Sequence, residues 1–238
     1  MSDMERCGQV SAADMGLPST TAVPSGRGRL PKEGFYRGMD IAASLRRRFV
    51  EDVESFTMLA QINERSTGIP SDGSVDAVFV LGLALKQSKP PVQVMEHIAR
   101  FYGERTGRKG RILFLCAYEG ECRLAVFREA DVSQGLMEGR LHVSEPVDFR
   151  SCPLRLADGS LERIWDGVCA QVILGEVNPE RVDRRIAVRV RRTALLAELE
   201  RLEKAHAKAR QIAKRNELWA RLRRARLELE MLDADESH

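Results

Sequence analysis

Val75 to Lys86 reads VDAVFVLGLALK, and this nearly unbroken aliphatic run decides the fold class. A strand in a half-exposed sheet alternates apolar and polar residues, whereas a strand covered on both faces is apolar throughout. The run therefore predicts a central strand with both faces buried, in a sheet of an α/β or α+β protein.

The segment before this strand predicts a helix and a second strand. Apolar residues recur every four positions, which is typical of an amphipathic helix from Asp40, its predicted N-cap, to about Phe56. These apolar positions are Ile41, Leu45, Phe49 and Val53. The sequence FTMLAQI, residues 56–62, predicts the strand that follows.

The segment after Lys86 predicts further elements in alternation. A helix begins near Pro91 and ends at Gly103 or Gly107, because proline suits a first turn and glycine a C-terminus. RILFLCAYEGECRLAVFRE predicts a β-hairpin that turns at residues 119–121. LHVSEPVDF contains one more strand, and DGSLERIWDGVCAQVILG predicts a helix that stops at Gly175.

Composition divides the chain into four predicted parts. Residues 1–27 are polar, lack the apolar core of a secretory signal and are expected to be a disordered leader. Residues 28–178 form the α/β domain, residues 179–233 a long basic helix, and residues 234–238 an acidic tail. No apolar run approaches the roughly 20 residues of a membrane helix, so we expect a cytoplasmic protein that does not contact membranes.

Charge is distributed unevenly along the chain. Residues 1–183 carry 23 basic and 26 acidic side chains, whereas residues 184–232 carry 15 basic and 6 acidic ones. The formal net charge of +3 therefore conceals a strongly basic C-terminal element. A positional bias of this kind indicates binding to a partner.

The C-terminal element has no proline or glycine after Pro179, which indicates continuous helix. One helix over residues 184–232 would be a rod of about 73 Å. Its heptads fall into two runs that are two residues out of phase, so one straight coiled-coil seam is excluded. We expect either a rod with two contact faces or a helical hairpin folded at KRNE, residues 214–217, and the rod is favoured because only Asn216 there suits a turn.

Two binding modes are predicted for this element. Protein contact is expected from the two apolar seams, through Leu195, Leu199, Leu202, Ile212, Leu218, Trp219, Leu222 and Leu229. A homodimer through the same helix is a further alternative. Direct DNA contact would use Lys208, Arg210, Lys214, Arg215, Arg221, Arg223 and Arg224. Pairs such as Glu200 with Lys204 and Glu217 with Arg221 favour instead a solvated charged helix.

Catalytic signatures are weak. A restriction-type nuclease site would need an acid and an E-x-K pair around one metal, and Asp76 and Lys86 are the candidates. Ala84 occupies the required acidic position, and the two residues would lie about 33 Å apart on one strand. There is no nucleotide-binding glycine motif, and the five cysteines lack zinc-ligand spacing, so no cofactor or metal is expected.

Several segments together resemble a bacterial family of domains of unknown function. They are LPKEGFY, RRRFVEDVESF, ILFLCAYEGECRLAVF and the closing LERLEKAHAKARQIAKRNELWARLRRARLELEML. Gln211, Glu217 and Leu218 match the closing motif, while Ile212 replaces an aromatic residue and Trp219 an asparagine. The family is encoded beside helicases and DNA methyltransferases in restriction-like, phage-defence loci.

The resemblance implies a non-catalytic accessory subunit that docks a helicase or DNA methyltransferase through the C-terminal helix. Two alternatives stay open. One is a direct DNA-binding protein that uses the basic helix, and the other is a degenerate restriction-type nuclease domain.

Overall fold

The protein consists of two compact units that divide between Val182 and Asp183. The computed structural model describes residues 10–24, 26–37, 41–105, 107, 109–128, 139–150 and 153–235. The first unit is a mixed α/β domain, which confirms the predicted fold class, and the second consists of helices.

A six-stranded sheet organises the first unit, and its strands lie side by side in chain order. The strands are β1 (Arg29–Leu30), β2 (Val53–Asn63), β3 (Ala77–Leu85), β4 (Gly110–Tyr118), β5 (Glu121–Arg128) and β6 (Arg140–Pro146). Neighbouring strands run antiparallel except β3 and β4, which are parallel. The sheet is therefore mixed, and the β3–β4 pair requires a crossover connection.

The described residues form six α-helices. They are α1 (Ala43–Glu51), α2 (Glu64–Thr67), α3 (Val92–Arg105), α4 (Leu161–Cys169), α5 (Val182–Lys208) and α6 (Ile212–Asp235). Helix α3 makes the crossover between β3 and β4. Within the described part of the chain, no helix has both the length and the apolar character needed to span a bilayer.

Strand β3 is buried on both faces, as its composition predicts. Leu81 and Leu83 belong to the core that includes residues of α1 and α3. Val78 and Val80 are also fully buried, and helix α4 contacts β3 without contributing to that core. Helices therefore cover the two faces of the sheet, and β3 lies between them.

The predicted β4–β5 hairpin is confirmed. Glu119 and Gly120 form its two-residue turn with φ of 44° and 88°. Positive φ at both positions is the geometry that matches the twist of the flanking strands, and it is least costly for glycine. The strand expected within LHVSEPVDF and the helix that ends at Gly175 are also present, as β6 and as α4 with its π-helical extension Ala170–Leu174.

The helix predicted to run to about Phe56 is wrong beyond Glu51. Helix α1 ends there, and Val53 and Phe56 belong to β2, where they pair with Leu85 and Leu83 of β3. Both side chains are fully buried in the sheet. Val53 continues the four-residue spacing of apolar residues in α1, but its pairing with β3 places it in a strand. The predicted cap, Asp40, lies outside the described residues.

The expectation of a disordered leader to residue 27 is wrong for the described residues from position 10 onward. Met15 is fully buried, and its carbonyl accepts a hydrogen bond from Leu154 N at 2.8 Å. Ala22 forms an isolated antiparallel bridge with Ala60 of β2. A few apolar residues in a polar segment are enough to fix it when the domain offers a place to bury them.

The second unit is a helical hairpin, and the favoured rod is wrong. Helices α5 and α6 are separated at residues 209–211, and Arg226 of α6 bonds Glu203 of α5 at 2.7 Å. The turn lies before the predicted KRNE segment and contains neither glycine nor proline. Folding back lets both apolar runs share one core, which a straight helix cannot do when the runs are out of phase.

Candidate interaction surface

The core of the hairpin is built from the two apolar runs of its helices. Each run follows heptad spacing, so its leucines lie along one side of its helix and meet the other helix. The buried members are Leu195, Leu199, Leu202, Leu218, Leu222 and Ala225, with Leu229 and Leu232 packed against them. Apolar burial therefore holds α5 and α6 together.

Six of the eight residues predicted to contact a partner lie in this core. They are Leu195, Leu199, Leu202, Leu218, Leu222 and Leu229. Their side chains contact the opposite helix of the hairpin, because folding back brings the two predicted seams together. The remaining two predicted residues, Ile212 and Trp219, are exposed over 78% and 47% of their surface.

Trp219 lies on the first turns of α6, near the turn of the hairpin. Its ring centroid is 5.9 Å from that of His206 on α5, and the guanidinium of Arg226 lies 6.0 Å from the centre of the ring. Contact with a cation and a second ring holds the indole in position while leaving about half of it accessible. Such a held, half-exposed aromatic residue is typical of a binding contact.

Ion pairs between the helices reinforce the hairpin on its exposed sides. Arg192 bonds Asp233 at 2.9 Å, Arg191 bonds Glu228, and Arg221 reaches Glu198 at 3.5 Å. The predicted pair of Glu200 with Lys204 is present, but Glu217 bonds Lys214 instead of Arg221. Exposed pairs of this kind contribute little stability each, but they neutralise part of the basic charge.

The cations predicted to contact DNA therefore fall into two groups. Lys214 and Arg221 pair with carboxylates, as described above. The other five are exposed and make no ion pair with any described carboxylate: Lys208, Arg210, Arg215, Arg223 and Arg224. Arg201, which the sequence did not single out, shares this property. Three of these six, Lys208, Arg210 and Arg215, lie at or beside the turn, close in sequence to Ile212.

Asp76 and Lys86, the weak nuclease candidates, lie at opposite ends of β3. Asp76 accepts a hydrogen bond from Ser71 Oγ at 2.7 Å and lies 3.9 Å from Lys109 Nζ. Lys86 Nζ donates to the carbonyl oxygen of Val50 at 2.8 Å. The structure does not bring the two together, and no group of three or more metal-ligating side chains occurs among the described residues.

A pair of carboxyl groups at the start of α4 escaped the sequence prediction. Asp72 accepts hydrogen bonds from Ser74 N at 3.0 Å and from Ser160 Oγ at 3.0 Å. A hydrogen bond to Asp72, followed by burial and the charge of Asp72, raises the pKa of Glu162. The residues are 90 positions apart in sequence, so only the fold shows that their titrations influence each other.

A family model described as "Domain of unknown function (DUF4391)" matches residues 15–229. The chain belongs to this family. No curated protein and no solved structure shows significant similarity to the chain.

The DUF4391 match spans both units. It begins at Met15, a fully buried residue, and ends within α6. The hairpin is therefore part of what defines the DUF4391 domain, together with the sheet.

Proposed function

We propose that the protein is a non-catalytic accessory subunit of a bacterial restriction-like or phage-defence system. The hairpin docks it onto a larger partner, a helicase or DNA methyltransferase subunit. The observation that carries the proposal is the exposure of Ile212 and Trp219 on a hairpin whose leucines are already buried. The class of partner rests on the resemblance of the sequence to proteins encoded beside such enzymes.

Exposing these two apolar side chains to water costs free energy. The two apolar runs bury each other, so the fold of the hairpin does not depend on burial of Ile212 or of the accessible half of Trp219. Burial of such side chains at an interface gains roughly 25 cal/mol per Å² of apolar surface. Aromatic residues are also enriched among those that dominate binding energy.

The test is co-expression of the chain with the helicase and methyltransferase subunits encoded beside it, followed by affinity purification. We expect a stable complex with the unaltered chain and its loss in the Ile212→Ser/Trp219→Ala variant. Leu227→Ser is the matched control, because Leu227 is 59% exposed on α6 but lies farther from the turn. A complex that both variants retain equally, or no complex with either subunit, would contradict the proposal.

Direct DNA binding is a second candidate function, favoured by the six exposed cations that lack a described acidic partner. Each phosphate contact should contribute about −0.9 to the slope of log affinity against log salt concentration. We expect a fluorescein-labelled 20-bp duplex to bind with a steep slope that becomes less negative in Lys208→Gln/Arg210→Gln/Arg215→Gln. A slope unchanged by these substitutions would exclude DNA contact through the turn.

A further inference from the structure

Two lysines from distant parts of the sequence flank the beginning of β2. Strand β1 pairs with β2 on one side, with Leu30 opposite Phe56, and β3 pairs on the other, with Leu85 opposite Val53. Lys32 follows β1 by two residues and Lys86 follows β3 by one. The sheet register therefore places both lysines at the same end of the sheet, beside the junction of α1 and β2.

Each ammonium group is anchored by the main chain at this junction. Lys32 Nζ donates to the carbonyl oxygen of Val53 at 2.5 Å, and Lys86 Nζ donates to that of Val50 at 2.8 Å. Val50 lies in the last turn of α1, where carbonyl groups attract cations, so the bond from Lys86 also stabilises the end of that helix. A lysine ammonium has three hydrogens, so each retains two for another acceptor.

Neither lysine has a carboxylate partner within ion-pair distance among the described residues. Glu51 and Asp52 lie between the two anchoring carbonyls in the chain, and Asp52 is buried and already engaged. Gln87 Nε2 donates to it at 2.8 Å and Arg48 Nη1 at 3.5 Å. The fold therefore brings two positive charges together with no described carboxylate in ion-pair contact with either.

The proximity of the two positive charges affects the pKa of Lys32. Burial, followed by the positive charge of Lys86, lowers the pKa of Lys32, and the negative charges of Glu54 and Glu33 offset this only in part. An anion between the two lysines would remove the repulsion and accept the remaining hydrogens.

A basic depression borders the lysines on α1. It is lined by Ile41, Ala43, Arg46, Arg47, Val50 and Glu51. Val50 lines this depression, and its carbonyl oxygen accepts the hydrogen bond from Lys86, so the depression and the lysine pair are adjacent. Its two arginines outweigh Glu51, so the depression adds a net positive charge beside the lysine pair.

We propose that Lys32 and Lys86 form a phosphate-binding site at the beginning of β2. The ligand is a phosphate group, carried either by a phosphorylated small molecule or by a nucleic-acid backbone. The site lies in the α/β domain, so it is independent of the docking role proposed for the hairpin.

The test is NMR of full-length protein labelled with ¹³C at lysine Cε, titrated separately with inorganic phosphate and with a 20-bp DNA duplex. We expect saturable shifts of the Lys32 and Lys86 signals, and a rise in the pKa of Lys32 when the ligand is bound. Shifts with inorganic phosphate identify a site for free phosphate groups, and shifts with the duplex alone identify the nucleic-acid backbone.

The variants separate binding from stabilisation of α1. Lys32→Gln/Lys86→Gln should weaken binding by about tenfold or more, since it removes two charge-assisted contacts. Lys89→Gln is the control. It removes the positive charge of one nearby lysine that is not part of the pair, and it should leave binding unchanged. Lys32→Arg/Lys86→Arg keeps the charges and should still bind if the glutamine variant fails to fold. The absence of saturable shifts with either ligand, or equal affinity in a folded glutamine variant, would overturn the proposal.

Discussion

At the scale of single residues, Gly28 is fixed by a close approach of two backbones. A Cβ atom at this position would lie 2.4 Å from the carbonyl oxygen of Met58, and Met58 N bonds the Gly28 carbonyl at 2.7 Å. Gly28→Ala must push the chain away from β2. We expect a loss of about 1–3 kcal/mol in the free energy of unfolding, measured by urea denaturation.

Gly26→Ala is the control for this prediction, because a Cβ atom there meets nothing within 4 Å. Equal stability of the two variants would show that β1 does not pack as described.

The raised pKa of Glu162 beside Asp72 predicts a dependence of stability on pH. A carboxyl group whose pKa is raised in the folded state binds its proton more tightly there. The contribution of Glu162 is therefore present below its ordinary value of 4.5 and is lost as pH rises through the folded pKa. Both groups are largely exposed, so solvent screening reduces the effect to a few tenths of a kcal/mol.

Glu162→Gln should remove this loss of stability at rising pH, because the glutamine amide does not ionise and can still donate a hydrogen bond to Asp72. Urea denaturation between pH 4 and 7 should show a flatter profile for Glu162→Gln than for Glu104→Gln, which alters an exposed carboxylate of α3. Parallel profiles for the two variants would contradict a raised pKa of Glu162 in the folded protein.

The residue types in the sequence were enough to predict turns, but they did not predict the site formed by Lys32 and Lys86. Gly120 and Gly175 were predictable, because a positive φ is a local requirement that glycine meets at little cost. Lys32 next to Lys86 was not predictable, because strand register brings them together from 54 positions apart.

At the scale of elements, the hairpin depends on its buried leucines. Leu202 is 2% exposed, whereas Leu196, on the same helix, is 46% exposed. We expect Leu202→Ala to destabilise the hairpin by about 2–5 kcal/mol and Leu196→Ala to have a much smaller effect.

Hydrogen exchange with peptide-level mass spectrometry measures this effect directly. Leu202→Ala should accelerate exchange in both α5 and α6, because each helix supports the other through the shared core. Faster exchange in α5 alone would argue against the hairpin and in favour of the rod.

Elements with a strong local pattern were predicted, and those set by distant contacts were not. Strand β3 and the β4–β5 hairpin follow from aliphatic runs and a turn with glycine. The end of α1 depends on the pairing of Val53 with Leu85, which no local pattern shows. The turn at residues 209–211 has no glycine, proline or asparagine, and only the phase of the two leucine runs indicated a fold-back.

At the scale of the whole molecule, the two units are expected to unfold separately. All five cysteines precede Asp183, so labelling of thiols reports on the first unit alone. Cys116, Cys122 and Cys169 are buried, and burial raises the pKa of Cys116 to about 12, which suppresses its reaction while the domain is folded.

In Leu202→Ala, we expect helical circular dichroism to decrease at lower urea than the midpoint of thiol labelling. The midpoint of labelling itself should equal that of the unaltered protein. A shift of both transitions together would mean that the units unfold cooperatively.

The placement of the two tryptophans gives the molecule a built-in optical reference. Trp165 is 3% exposed in α4 of the first unit, while Trp219 is 47% exposed in the second. Acrylamide should quench Trp219 emission selectively, and a partner that covers the turn of the hairpin should shield it. The emission of Trp165 then serves as an internal standard, so occupancy of the hairpin can be followed without attaching a dye.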